Sequence, residues 1–140
     1  LPLYRERYMA LAPRGGPLAG RDTLDWAELA GLPLALLTPD MQNRRLVARH
    51  MAEAGVEADP VLEANSVITL VTHVVAGGLA TVLPSRLADL FTRLGELDAV
   101  PLVAPEAEHL IGLVAPERDP PTPAVAALLQ EARRLAGAEG

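Results

Sequence analysis

Apolar residues in this chain fall into short unbroken runs with amphipathic stretches between them. Tyr8–Ala12 (YMALA), Leu34–Leu37 (LALL), Val61–Ala64 (VLEA), Leu79–Leu83 (LATVL), Val100–Val103 and Leu110–Ala115 are too short for helices and predict buried strands. The stretch Asn65–Pro84 organises the rest. Asn65 or Ser66 offers a side-chain oxygen as helix cap, and Val67, Ile68, Leu70, Val71, Val74 and Val75 recur at helical spacing as a broad apolar face. Gly77 and Gly78 end that helix, and Pro84 stops the strand after it.

Further helices follow the same logic. Asp25 and Glu28 have capping-box spacing for a short helix that ends at Gly31 and is packed down by Trp26. Thr38 as cap and Pro39 at the first helical position predict a second helix. Its inward stripe is Leu46, Val47, His50, Met51 and Ala54; Arg44, Arg45, Arg49 and Glu53 face elsewhere, and Gly55 ends it. Ser85 is expected to cap a short helix through Phe91. Thr122 and Pro123 start a last one, with Val125, Leu128, Leu129, Ala132 and Leu135 on one face. Strands alternating with helices over Leu34–Leu83 predict a mostly parallel sheet covered by helices. In such a sheet ligands bind beyond the carboxyl ends of strands, where helix N-termini favour anions. Thr38–Asn43 and Asn65–Ser66 both have that position.

Composition narrows the function classes. The 140 residues are 50% hydrophobic, enough for a core in one or at most two compact lobes. The charge is −6 and the twelve cations, all arginine, are scattered, so this chain lacks the clustered footprint of a nucleic-acid binder. Without cysteine there is no disulfide or thiolate chemistry, which fits a reducing cytoplasm. No apolar run approaches membrane-spanning length, and LPLYRERY has two arginines where a signal peptide needs an apolar core. The chain opens on Leu and reads as a piece of something longer.

Catalytic and metal patterns are missing. Gly15 and Gly16 precede no Lys–Ser/Thr pair and read as a turn. There is no G-x-S-x-G elbow, and His50, His73 and His109 lack metal-ligand spacing. No enzyme, metal or cofactor is expected. His73 shares a polar stripe with Ser66 and Thr69 and reads as a packing histidine; His50 falls on an apolar stripe and reads as core. Arg44 and Arg45, in the first turns of their helix, read as solvated or as part of an interface, with a carboxylate contact as the sharper alternative.

Taken in order, VVAGGLATVLP (Val74–Pro84), WAELAGLPLALLTP (Trp26–Pro39), QNRRLV (Gln42–Val47), YRERYMALAPRGGPLAG (Tyr4–Gly20) and HLIGLVAPER (His109–Arg118) resemble the effector-binding domain of a LysR-type transcriptional regulator. The resemblance implies an α/β fold of the periplasmic-binding-protein-like (type 2) kind, here with one lobe nearly complete and the other partial. On that pattern, residues 1–33 are a partial first lobe with a crossover strand and 34–90 are the second lobe. Residues 91–140 are the return crossover and the C-terminal part of the first lobe. The winged helix-turn-helix is absent, so operator DNA is contacted only through it in the longer protein. The resemblance implies a small anionic effector bound between lobes by Thr38, Met41, Gln42, Asn43, Asn65 and Ser66. It further implies a homodimer or tetramer, with helix Gln42–Ala54 as the second-lobe dimer surface, and a cytoplasmic location. A stand-alone solute-binding domain and an α/β enzyme are the other classes open at this point.

Overall fold

The computed structural model describes residues 1–138. The chain divides into two compact units, one of Arg7–Ala107 and one formed by Leu1–Glu6 with the chain from Glu108 onward.

The larger unit is a helix-covered sheet. Its strands are the C-terminal half of β1 (Pro2–Pro13), β2 (Leu24–Asp25), β3 (Ala35–Leu37), β4 (Leu62–Ala64), β5 (Thr81–Pro84) and β6 (Leu97–Val103). β1 runs antiparallel to β5, with Tyr8 opposite Pro84 and Leu11 opposite Thr81. It is also antiparallel to β6, with Met9 opposite Pro101 and Pro13 opposite Leu97. β2 and β6 are parallel, as are β3 and β4, and β3 joins β5 through a parallel bridge between Leu34 and Ala80. The parallel expectation therefore holds for the β3, β4 and β5 segment, while β1 makes the sheet mixed.

Both faces of this sheet are covered, which is why its strands read as unbroken apolar runs. Side chains alternate across a strand. Ala10, Ala12, Leu34, Leu36 and Val82 thus enter one core with Trp26, Leu29, Val47 and Met51. Leu11, Ala35, Leu37 and Leu83 enter a second with Leu70, Val74, Ala88 and Phe91. The helices are α1 (Gln42–Glu53), α2 (Val67–Gly77), α3 (Ser85–Arg93) and a 3₁₀ turn at Trp26–Gly31. In that turn the Asp25 N–H donates to Glu28 Oε2 at 2.8 Å, the reciprocal half of the expected capping box. Gly78, at φ 66°, takes the left-handed conformation that ends α2.

Several boundaries differ from the sequence reading. Thr38 does not cap α1. Its N–H extends the β3–β4 ladder to Ala64 O (3.1 Å), its carbonyl accepts from Met41 N–H (3.0 Å), and the helix starts at Gln42 with Met41 as the cap residue. Ser85 is the first residue of α3 rather than its cap, because Pro84 is still paired in the sheet. The apolar face of α2 is narrower than expected: Leu70, Val71 and Val74 are buried, but Ile68 is 66% exposed.

In the smaller unit the N-terminal half of β1 pairs with β7 (Glu108–Gly112), which starts and ends earlier than the expected Leu110–Ala115. Leu1 and Leu113 exchange two backbone hydrogen bonds, from the Leu1 amino group to Leu113 O at 2.9 Å and from Leu113 N–H to Leu1 O at 2.8 Å. A Cβ on Gly112 would lie 2.6 Å from the Leu1 carbonyl oxygen, so this approach needs glycine. α4 (Pro123–Ala138) follows, with Val125 N–H donating to Thr122 Oγ1 at 3.4 Å. Ala132 is buried, whereas Leu128 and Leu135 of the expected apolar face are exposed.

Candidate functional site

β3 and β4 end side by side, with Leu37 opposite Ala64. Thr38 and Asn65 directly follow those residues, and α1 and α2 start a few residues later. One end of the ladder therefore carries all six candidate residues, Thr38, Met41, Gln42, Asn43, Asn65 and Ser66. The parallel β-helix-β connection produces this: each strand delivers the chain to the same edge before a helix begins.

Their roles differ. Ser66 caps α2, its Oγ accepting from Thr69 N–H at 3.4 Å, and Asn65 is exposed beside it. Met41 packs against the second core. Gln42 is exposed and its Oε1 accepts from Arg45 Nη2 at 2.9 Å. Thr38 Oγ1 and Asn43 Nδ2 stand apart: both atoms are buried, and neither has a hydrogen-bond partner among the described residues. Desolvating a hydroxyl and an amide without pairing them costs about 1–3 kcal/mol each, so both groups are poised to gain from a partner.

Arg44, read from the sequence as solvated or at an interface, is instead an internal clamp. Its side chain is 12% exposed, and Nη1 donates to Leu37 O at 3.0 Å and Glu63 Oε2 at 2.6 Å, tying the start of α1 to the ends of β3 and β4. Alternation gives the only sequence signal, since Glu63 is the polar position between Leu62 and Ala64. Arg45 bonds Asp40 O at 3.2 Å as well as Gln42. Arg44 is thus held by a carboxylate and a carbonyl and Arg45 by two neutral acceptors, while Thr38 Oγ1 and Asn43 Nδ2 are the buried groups left without a partner here among the described residues.

The histidines are elsewhere. His50 is 6% exposed, its ring tilted against that of Trp26 at a 5.0 Å centroid distance and 6.2 Å from that of Tyr8, with Nδ1 donating to Glu53 at 3.1 Å; it is core, as expected. His73 is exposed, and its Nδ1 donates to Thr69 O at 2.8 Å within its own helix. Among the described residues no three His, Asp or Glu side chains cluster as metal ligands. Thr81 Oγ1, in a fully buried residue of β5, is a further unpartnered hydroxyl that sequence reading passed over inside an apolar run.

The sequence matches the LysR substrate binding domain family over residues 1–137. It is 30% identical over 117 residues to a "Probable hydrogen peroxide-inducible genes activator" of Mycobacterium avium, covering 81% of this chain and 37% of that protein. The "DNA-binding transcriptional dual regulator OxyR" of Escherichia coli K12 is 30% identical over 114 residues, with the same coverage. The chain therefore spans about 37% of the length of these curated relatives. Its backbone superposes on CbnR, a LysR family transcriptional regulator, with a TM-score of 0.77 over 97% of this chain and 47% of that one. At 18% identity, that likeness concerns the fold.

Proposed function

This chain belongs to the LysR substrate-binding-domain family, with its periplasmic-binding-protein-like (type 2) α/β fold, and from that premise we propose how it senses an effector. A small anionic molecule binds at the shared carboxyl ends of β3 and β4, held by Thr38 and Asn43 with the starts of α1 and α2 around it. Met41, Gln42, Asn65 and Ser66 shape the rim. The observation that carries this reading is the pair of buried, unpartnered polar atoms, Thr38 Oγ1 and Asn43 Nδ2, at that one edge. Both can donate to a carboxylate or inorganic oxyanion, and the helix N-termini add a favourable field. Effector binding has to discriminate between two arrangements of the regulator in order to shift them.

In the longer protein the domain acts within a homodimer or tetramer, and operator DNA is contacted by another part of the regulator. This chain's charge of −6 suits it poorly for that contact. The family consists of transcriptional regulators, and a stand-alone solute-binding protein is not favoured. We read the domain as non-enzymatic, free of cofactor and cytoplasmic; among the described residues no helix is long and apolar enough to cross a membrane. The Mycobacterium avium relative is named as a probable activator of hydrogen peroxide-inducible genes. This chain has no cysteine for peroxide to oxidise, so its signal is read as reversible, non-covalent binding.

A thermal-shift panel of small carboxylates, aromatic acids and inorganic anions at matched ionic strength tests the site. A ligand at a hundred times its Kd adds about 2.7 kcal/mol to folded stability. Thr38→Val should remove that shift while leaving the unliganded protein as stable or about 1 kcal/mol more so, because a desolvated hydroxyl becomes a methyl. Thr81→Val, the same exchange at a buried hydroxyl in β5, should stabilise similarly and keep the ligand shift. Retention of the full shift in Thr38→Val overturns the assignment. The dimer surface assigned to α1 carries its own test. Arg49, 55% exposed and 3.8 Å from Glu53, should on reversal to Glu weaken self-association more than effector binding. An unchanged dimer sinks that surface.

A further inference from the structure

Of the three arginines of α1, Arg44 is paired with Glu63 and Arg49 with Glu53. Arg45 differs. It is exposed, and its hydrogen bonds go to neutral acceptors, from Nη1 to the Asp40 carbonyl at 3.2 Å and from Nη2 to Gln42 Oε1 at 2.9 Å. A guanidinium carries five N–H donors, so these two contacts leave the other three, and an uncompensated positive charge, facing solvent. Asp40, the acidic residue of this turn, gives Arg45 its carbonyl and not its carboxylate.

The position of that charge is set by the backbone. Asp40 lies in the turn that carries the chain from Thr38 to the start of α1. The Arg45 guanidinium therefore folds back from its helix onto the segment between Thr38 and Asn43, whose Oγ1 and Nδ2 are the buried atoms without partners. Gln42, exposed at the first position of α1, holds on Arg45 the place that an anion's oxygen can take. Exchanging its neutral amide for a carboxylate adds charge attraction and a second parallel N–H···O contact, the two-point geometry that suits a planar guanidinium. Solvent screening at the rim limits the gain to a few-fold in affinity.

Resting on the effector site proposed above, we propose that Arg45 is its charge-reading residue and Gln42 a neutral place-holder. The effector is a small diacid: one carboxylate meets Thr38 and Asn43, and the other displaces the Gln42 amide from Arg45. Binding is reversible and involves no covalent step.

The test titrates the 140-residue chain calorimetrically with succinate, glutarate and adipate and with the monoamide of each, at matched low ionic strength. At least one diacid should bind saturably and about fivefold more tightly than its own monoamide. Arg45→Gln should erase that preference, and Arg45→Lys, which keeps the charge without the fork, should retain part of it. Gln42→Ala should tighten diacid binding about twofold by removing the competing amide. Thr38→Val should weaken diacid and monoamide alike. Arg45 and Gln42 are exposed, so their variants are expected to keep the parent's urea midpoint, and Arg45→Lys decides should Arg45→Gln unfold early. A preference that survives whole in Arg45→Gln, or that is missing in the parent while Thr38→Val still weakens binding, overturns the role of Arg45 and leaves the Thr38 edge standing. Binding indifferent to Thr38→Val overturns the edge itself and this proposal with it. Absence of saturable binding by all three diacids overturns the diacid assignment, and unchanged or weaker diacid binding in Gln42→Ala overturns the place-holder.

Discussion

Removing the Arg44 guanidinium should loosen the edge at which we propose the effector binds. Nη1 bonds two acceptors, the Leu37 carbonyl at the end of β3 and the Glu63 carboxylate on β4, from a side chain only 12% exposed. Hydrogen bonds to charged groups contribute about 1.5–3 kcal/mol where they are shielded. Glu63 is 43% exposed, so its ion-pair share is screened to about 1 kcal/mol or less. Arg44→Ala should therefore cost about 2 kcal/mol and Glu63→Ala about 1 kcal/mol. A coupling of about 0.5–1 kcal/mol should appear in the double-mutant cycle. Urea unfolding followed by the fluorescence of Trp26, the single tryptophan and fully buried, is the assay. With slopes of about 1–3 kcal/mol/M for small domains, Arg44→Ala should lower the midpoint by about 1 M. Arg44→Lys should recover only part of it, since the lysine nitrogen sits one bond short of the position Nη1 takes between its two acceptors. A cost below about 0.5 kcal/mol for Arg44→Ala, or strict additivity of the two single variants, would refute the clamp.

Two further outcomes follow from local geometry. Gly78→Ala should cost about 1 kcal/mol, purely conformational because no atom lies within 4 Å of the added Cβ; an unchanged melting temperature would contradict the left-handed cap. The Glu28 carboxyl is held below its ordinary value of 4.5, first by the Asp25 N–H and then by Arg21. A depressed folded pKa gives stability that is present above the ordinary carboxylate range and lost as pH falls through the lowered value. Glu28→Gln should therefore be less stable than the parent at pH 7 and indistinguishable from it in strong acid, read from urea midpoints against pH; a constant difference across that range would argue against this linkage.

Much of the framework was legible because it depends on local chemistry. Period and run length located the strands, since a sheet buried on both faces leaves unbroken apolar runs such as LALL. Ser66, Gly78 and Thr122 act at helix ends as their side chains or conformational freedom dictate. His50 was readable as core from its place on the inward stripe of α1. What failed was local evidence in competition with a partner distant in sequence. Thr38–Pro39 has the signature of a helix start, yet the Thr38 N–H is taken by Ala64, twenty-six positions along, so the strand persists and the helix waits until Gln42. Ile68 belongs to the apolar pattern of α2 but lies on the side that no strand covers.

The sequence by itself thus determined the alternation of strands and helices, the helix ends at Ser66, Gly78 and Thr122, the absence of thiol chemistry and the family. Only the tertiary structure decided which polar groups are left over. Thr38 Oγ1 and Asn43 Nδ2 are unpaired because packing buries them where no acceptor or donor reaches. Arg44 is neutralised because the β3–β4 register brings Glu63 beside it. Hydrogen bonds between residues far apart along the chain depend on distances that no local pattern encodes, and at this edge those distances separate the groups that hold the fold from the buried groups left without a partner.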